Sequence, residues 1–542
     1  MYPARAGAAA RAWYPRRMLL VLLACGGEPP TPPAPPPEAE PPATCTLLAI
    51  NDTYRLESLA DGTGGMARVR TLRARLEEKG AVALLHAGDF LAPSLLTRTY
   101  GGQQMVDVLG ALDGDPAAFD PKMFVVFGNH EFDAGKEADG PKLDAMIGGS
   151  GFTWLGSNIR FAAGASGPIV ADEKLPDDVV FDCGGLSVGM FGLTTNSKGA
   201  AFIESFADPV ETARARTDAL RARKVDVVIG LTHQALADDR ALLTTLGAAG
   251  PDLIVGGHEH DQKREEVGSR GIYKADADAH TAWRITLSRG PNGITRDAEL
   301  LPLDAGVAED AATLALVNDK LTEHDRLFCD KNNSPPGCLA ASIGTTKVPL
   351  IGAELEIRRF ETNLGNLVAD VALGSVVGAD IAIVNSGSLR LNRDLAVGPV
   401  RRQDIEELFA YPTPMARVTV DGATLAAIVR RSTEAWEGNG HWLQIAGFAY
   451  RFDPDKNEVG SLTRLPAGTP VLPTDRLTLA LPAYLADPST GQDGYTMITG
   501  WDGKTGSDLK RSTLDRFADG EVAPAVEGRI CNAQRPGPCL AK

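Results

Sequence analysis

Gly128-Asn-His-Glu-Phe-Asp133 and Gly256-Gly-His-Glu-His260 each follow a short apolar run, at residues 123–127 and 253–255. Three further segments repeat that arrangement: Ala49-Ile-Asn-Asp52 closes the run 47–50, Ala87-Gly-Asp89 follows 82–85, and Leu231-Thr-His233 closes 227–231. Apolar runs of this length without alternation read as strands buried on both faces, as in parallel sheets. Open α/β sheets gather their chemistry beyond the carboxyl ends of such strands. Five loops therefore converge on one edge. They carry Asp52, Asp89, Asn129, His233, His258 and His260, enough ligand candidates for two divalent metals and hence for metal-assisted hydrolysis.

Asp89 is the natural bridging carboxylate, because its two oxygens can hold both ions. Asp52 and His260 complete one side; Asn129, His233 and His258 complete the other. His258 and His260 are two residues apart, so in an extended segment they point the same way. Glycines before His130 and His258 let the backbone pass close to a crowded site. Water held between two such ions has its pKa lowered from about 15.7 toward 7 and would attack phosphorus in line. His130, beside Asn129 but not needed as a ligand, is the candidate proton donor, with Asp133 orienting its ring. Asp, Asn and His suit Mn, Zn, Co and Fe alike, so the metal's identity stays open. His86, His280, His324 and His441 read as structural or surface residues.

A chain of 542 residues is too long for one core, so two large domains are expected. The net charge of -16 argues against binding a nucleic acid polymer and leaves any attraction for anions to the site itself. No apolar run is long enough to span a bilayer. At the N-terminus, Arg16-Arg17 precedes Met18-Leu-Leu-Val-Leu-Leu-Ala24 and Cys25, which resembles a bacterial lipobox. The expectation is a signal peptide over 1–24, lipid on Cys25, and a proline-rich tether over 25–44. The protein would then be exported, facing the periplasm or cell surface, and held to the membrane by that lipid alone. Six cysteines remain, an even number suited to an oxidising compartment. Turn-rich loops favour Cys329–Cys338 and Cys531–Cys539, leaving Cys45 and Cys183 as the third pair.

Strand-like and helical stretches alternate from residue 46 to about 307, with helices expected at 65–79, 210–224 and 235–246, which is the α/β signature. A catalytic domain over 45–325 and a helical pattern at 309–324 lead into a linker or hinge at 326–344. A second mixed domain covers 345–531, with a helix at 363–377 and a strand at 381–385, and residues 532–542 form a tail.

Gly128-Asn-His-Glu-Phe-Asp133 and Gly257-His-Glu-His260 resemble the calcineurin-like metallophosphoesterases. With its second domain the chain resembles the 5'-nucleotidase family over roughly residues 45–530. The resemblance implies a four-layer αββα domain, a two-metal site with a His130–Asp133 pair, and a hinged α+β C-terminal domain that binds nucleotide. It assigns Arg358, in Arg358-Arg-Phe-Glu-Thr-Asn-Leu-Gly-Asn366, and Arg390, in Asn385-Ser-Gly-Ser-Leu-Arg390, to phosphate. It assigns Asn385, Tyr411 and Tyr484 to the base and Asp493 to ribose. Tyr54 departs from the pattern, standing where a ligand His is usual. It would bind as phenolate, or give way to water, or only pack and hydrogen-bond. The implied substrate is a 5'-nucleotide, with UDP-sugars or 2',3'-cyclic nucleotides as rivals; a metal-poor nucleotide-binding lipoprotein is the alternative of another class.

Overall fold

In the strand Thr44–Ile50, Leu47 and Ala49 point into one core while Leu48 and Ile50 point into another. Burial on both faces removes the alternation that a half-exposed strand would show. The computed structural model describes residues 43–59, 61–162, 174–196, 200–434 and 436–541. The expected signal peptide, Cys25 and nearly all of the tether lie outside them.

The first sheet runs in the order Gly293–Pro302, Thr281–Gly290, Thr44–Ile50, Ala81–His86, Met123–Val126, Thr153–Leu155. Its last four strands are parallel, and the hairpin of the first two joins them through Thr281–Gly290, which is antiparallel to Thr44–Ile50. The second sheet runs Lys263–Val267, Arg270–Lys274, Leu253–Gly256, Val227–His233, Leu186–Thr194, Asp178–Cys183, with a parallel centre and antiparallel edges. Leu47, Leu85 and Val126 of the first sheet meet Val188, Ile229 and Val255 of the second in a shared core. Helices Met66–Glu77, Gln103–Leu109, Gly140–Gly149 and Ala311–Lys331 pack on the outer face of the first sheet. Pro209–Ala222 and Leu236–Leu246 cover the outer face of the second. The result is the expected αββα stack.

The C-terminal domain has a five-stranded sheet in the order Leu443–Ala446, Ile381–Asn385, Arg476–Pro482, Pro414–Asp421, Thr505–Asp508. Helices Asn363–Ser375 and Leu509–Ala518 pack on one face and Gly422–Thr433 on the other. It docks on the catalytic domain through ion pairs: Arg55 meets Glu407 at 3.0 Å and Arg98 meets Glu406 at 2.9 Å.

Two boundaries differ from expectation. The helix at 311 does not stop near His324 but runs to Lys331, so the first residues of the expected linker are helical and Cys329 sits in the helix's last turns. The tail is pinned: Ile530–Asn532 pairs with Phe448–Asp453, Cys531 bonds Cys539, and Ala541 is buried. All three expected disulfides are formed, Cys45–Cys183, Cys329–Cys338 and Cys531–Cys539. Among the described residues, no helix is long and apolar enough to cross a membrane.

Cys45–Cys183 ties the first sheet to the second across 138 residues of chain, against 9 for Cys329–Cys338. A long loop loses more unfolded-state freedom when closed, so replacing Cys45 and Cys183 together with Ser should cost about 2–5 kcal/mol. The Cys329/Cys338 double variant should cost less. Urea unfolding followed by tryptophan fluorescence checks the order.

Candidate metal centre and substrate cleft

Asp52, Asp89, His258 and His260 all occupy left-handed backbone, with φ of 51°, 58°, 95° and 63°. Non-glycine residues pay about 1–3 kcal/mol each for such conformations, which persist only where the surroundings impose them. Here the imposing groups are buried and polar. The Glu131 carboxylate accepts from the backbone N–H of Asp89 at 2.9 Å, Phe90 at 2.8 Å and Leu91 at 3.0 Å, and from that of Gly128. One side chain thus clamps the Asp89 loop to the Asn129 loop. Burial and the Asp89 charge push Glu131 up to about 7. On the other sheet Lys274 donates to the carbonyls of Gln234 at 2.6 Å and Gly257 at 3.0 Å and pairs with Asp239 and Glu259. Lys274 therefore fastens the His233 loop to the His258 loop. Asn51 donates to Asp52 at 2.8 Å and to the Ala275 carbonyl at 3.0 Å. Gly128 is required by close approach: a Cβ there would lie 2.0 Å from Asp89 Oδ1.

The six candidate ligands meet. His233 Nε2 lies 3.2 Å from Asp89 Oδ2 and 4.0 Å from Asp52 Oδ1. His260 Nε2 is 3.3 Å from Asp52 Oδ1, and His258 Nδ1 is 3.2 Å from Asn129 Oδ1 and 3.3 Å from His233 Nε2. Asp52, Asp89 and His260 present ligand atoms within 4.8 Å of one another. Asp52 Oδ1 is buried without a hydrogen-bond partner. His233 Nδ1 donates to the Ala87 carbonyl at 2.7 Å, which turns Nε2 toward the carboxylates. Against burial, Asp89 and Asp52 raise His233 to about 9, and Glu354 and Asp52 raise His260 to about 10. Also against burial, the histidines hold both Asp carboxylates below their ordinary range. Burial and the neighbouring His233 drop His258 to about 3. Two buried carboxylates and inward imidazole nitrogens thus gather ligand atoms at one point. That donor set fits divalent cations bound through mixed N and O ligands.

His130 Nδ1 donates to Asp133 Oδ2 at 2.8 Å, and its backbone N–H donates to Asp89 Oδ1 at 2.8 Å. The imidazole is thereby fixed at the rim of the cluster. Tyr54 donates its hydroxyl to Asp89 Oδ2 at 3.2 Å and lies 3.0 Å from His260 Nε2. Burial and the two Asp charges push its phenol well above 10. These contacts place the Tyr54 hydroxyl within the cluster, hydrogen-bonded to Asp89 and beside His260.

The C-terminal domain closes the cleft. Arg358, Arg359 and Arg390 line a cavity of about 600 Å³ together with Asp89, Asn129, His130, His258 and His260. Arg358 pairs with Glu354 at 2.6 Å and Arg390 donates to the Gly387 carbonyl at 2.7 Å. Asn385 donates to Asp493 at 3.3 Å, and Tyr484 lies against both, its phenol raised by burial and by the Asp493 charge. Tyr411 reaches the catalytic domain and donates its hydroxyl to Asp133 Oδ2. Among the described residues no ring contact joins Tyr411 to Tyr484. The quiet histidines are quiet: His86 holds Thr53 at 2.7 Å, and His324 holds Thr99 at 2.7 Å. Sequence reasoning gave no role to Glu131, Lys274 or Glu354. Glu131 lies inside a quoted motif and Lys274 ends an apolar strand; nothing local marks Glu354.

The fold and this cluster define a metallophosphoesterase. The family model Calcineurin-like phosphoesterase matches residues 45–262, and 5'-nucleotidase, C-terminal domain, matches 342–500. The chain belongs to the 5'-nucleotidase family, whose two domains it carries in order. It is 25% identical to the 5'-nucleotidase of Rattus norvegicus, over 90% of each chain. It is also 25% identical, over 90% of its length, to the trifunctional nucleotide phosphoesterase protein YfkN of Bacillus subtilis, of which it spans only 34%. A 5'-nucleotidase precursor from Thermus thermophilus shares the fold at a TM-score of 0.75 and 22% identity, covering 91% of this chain and all of that one.

Below about pH 9 the chelated protein keeps protons on His233 and His260, and ligation must displace them. Affinity for Mn²⁺ or Zn²⁺ should therefore rise with pH up to that range. Calorimetric enthalpies at pH 7 should vary with the ionisation enthalpy of the buffer, reporting proton release. Tyr54→His supplies a ligand nitrogen where a phenol stands and should tighten one ion by at least tenfold, read by chelator competition.

Proposed function

We propose that this chain is an exported, metal-dependent phosphohydrolase that removes the 5'-phosphate of nucleotides. The observation that carries the proposal is the single cleft in which the Asp52–Asp89–His260 cluster faces Arg358 and Arg390. The printed names of the rat and Bacillus relatives, a 5'-nucleotidase and a nucleotide phosphoesterase, support the same substrate class.

Asp52, Asp89 and His260 would hold one divalent ion, and Asp89, Asn129, His233 and His258 the other, whether Mn, Zn, Co or Fe. Such a pair supplies an activated water and neutralises charge on the phosphoryl oxygens. The remaining work falls to the chain's own groups. Arg358 and Arg390 present forked guanidiniums to the phosphate, a local attraction that the net charge of -16 does not give. Asn385 and the rings of Tyr411 and Tyr484 hold the base, and Asp493 the ribose hydroxyls. His130 gives a proton to the leaving 5'-oxygen from Nε2, because its Nδ1–H is committed to Asp133. Three disulfides suit an oxidising compartment and support export. The lipid on Cys25 remains part of this proposal.

A second reading keeps the metals and changes the substrate to a UDP-sugar or a 2',3'-cyclic nucleotide; the word trifunctional in the Bacillus relative's name favours testing it. A nucleotide-binding lipoprotein without catalysis rests on Tyr54 alone.

With AMP, UDP-glucose and 2',3'-cyclic AMP offered in parallel, phosphate release should be fastest from AMP, and EDTA should abolish it. p-Nitrophenyl phosphate with added Mn²⁺ should turn over; no turnover with any ion would leave only a binding protein. His130→Asn should lower kcat by about 10²–10⁴ with metal content unchanged, measured by steady-state kinetics and elemental analysis.

A further inference from the structure

Glu354 belongs to the C-terminal domain, yet its carboxylate lies against a side chain of the metal cluster. His260 Nδ1 donates to Glu354 Oε2 at 2.8 Å while His260 Nε2 faces Asp52 and Tyr54. Both side chains are nearly buried, at 8% and 10% exposure, so the contact is dry and firm. We propose that Glu354 is the outer partner of a carboxylate–histidine–metal triad, through which docking of the C-terminal domain sets the affinity of the Asp52–His260 side for its ion. This inference rests on the phosphohydrolase reading of the site.

Three observations support it. The first is preorganisation. Glu354 opens the short helix Glu354–Ile357 at a turn whose backbone is tied down, with Gly352 and Ala353 donating to Asp394 at 3.0 and 3.1 Å. Ile351 donates to Asn363 at 2.8 Å in the same turn. The carboxylate is therefore held in place by the backbone of its own domain. The second is charge. Glu354 Oε1 is paired with the Arg358 guanidinium at 2.6 Å, which leaves Oε2 to accept from His260. An accepting carboxylate fixes the imidazole tautomer with its lone pair on Nε2 and raises its basicity as a ligand. The third is need. This side of the site has Tyr54, its hydroxyl donating to Asp89, where a further nitrogen ligand would stand. With fewer direct ligands, the strength of His260 weighs more.

The consequence is reciprocal. The partners lie on different domains, so undocking separates them. If docking tightens the ion, then the ion must favour docking by the same factor. The ion pairs Arg55–Glu407 and Arg98–Glu406 hold the domains together without touching the histidines.

Glu354→Gln tests this in the full chain, because glutamine keeps the size and loses the charge. Zn²⁺ binding is measured by chelator competition, and the spacing of the domains by electron–electron resonance between nitroxides at Lys142→Cys and Lys504→Cys. These two exposed lysines lie in the catalytic and C-terminal domains, outside the cleft. The parent should bind two Zn²⁺ and shift toward the docked spacing as it loads. The variant should bind one of the two about 10–100-fold more weakly, with the second unchanged, and lose the Zn²⁺-dependent shift. Affinities within twofold of the parent for both ions would overturn the triad. Weaker binding with the Zn²⁺-dependent shift intact would overturn the coupling to docking. A parent that binds no Zn²⁺ or Mn²⁺ would instead refute the proposed function. If Glu354→Gln fails to fold by circular dichroism, Glu354→Ala takes its place in both measurements.

Discussion

Asp52 and Asp89 are buried almost completely and share one small pocket. Two carboxylates taken from water into such a place repel each other and lose their hydration, and neither penalty is tolerable without positive charge at the same spot. The surrounding architecture follows from meeting that demand. His233 and His260 are turned toward the acids. Lys274 and Glu131 stay one step outside, where they fasten loops without neutralising the centre. The left-handed backbone of Asp52, Asp89, His258 and His260 is the strain left by pointing so many short side chains at one point from five separate strands.

The fold was legible because its signals are local. Each ligand loop follows an apolar run buried on both faces, and a strand end fixes the position of the next residue closely. The cysteine pairing was legible for a related reason: two pairs close short turn-rich loops, and the third follows from what remains. The end of the long helix was less legible. The Cys329–Cys338 loop is rich in turn residues, yet the helix packs onto the catalytic domain through His324 and Cys329, and tertiary burial carried it on to Lys331. The strand at the start of the tail was not legible either, because no local pattern shows that Ile530–Asn532 would join a strand some eighty residues earlier.

The site was legible in the catalytic domain and only partly so at the domain boundary. Asp52, Asp89, Asn129, His233, His258 and His260 sit in the loops their motifs indicated. Glu354 carries no local signal, since its significance arises when a turn of one domain meets a histidine of the other. Tyr411 shows the same limit. Its ring was expected to face a base, and its hydroxyl is bonded to Asp133. Sequence patterns report what an element does with its own neighbours in the chain; docking adds contacts that no periodicity encodes.

These contacts bring the boundary between domains up to the candidate metal centre. Asp133 accepts from His130 and from Tyr411 on the same oxygen, so the group that orients the imidazole also registers the position of the C-terminal domain. His260 is held between Asp52 on one side and Glu354 on the other. Arg358 and Arg390 line the cleft from the same domain that carries Glu354 and Tyr411. A displacement of that domain would therefore act on both histidines and on the guanidiniums of the cleft together. Neither domain alone presents the complete arrangement. The candidate metal cluster belongs to one, and the guanidiniums that line the cleft beside it belong to the other.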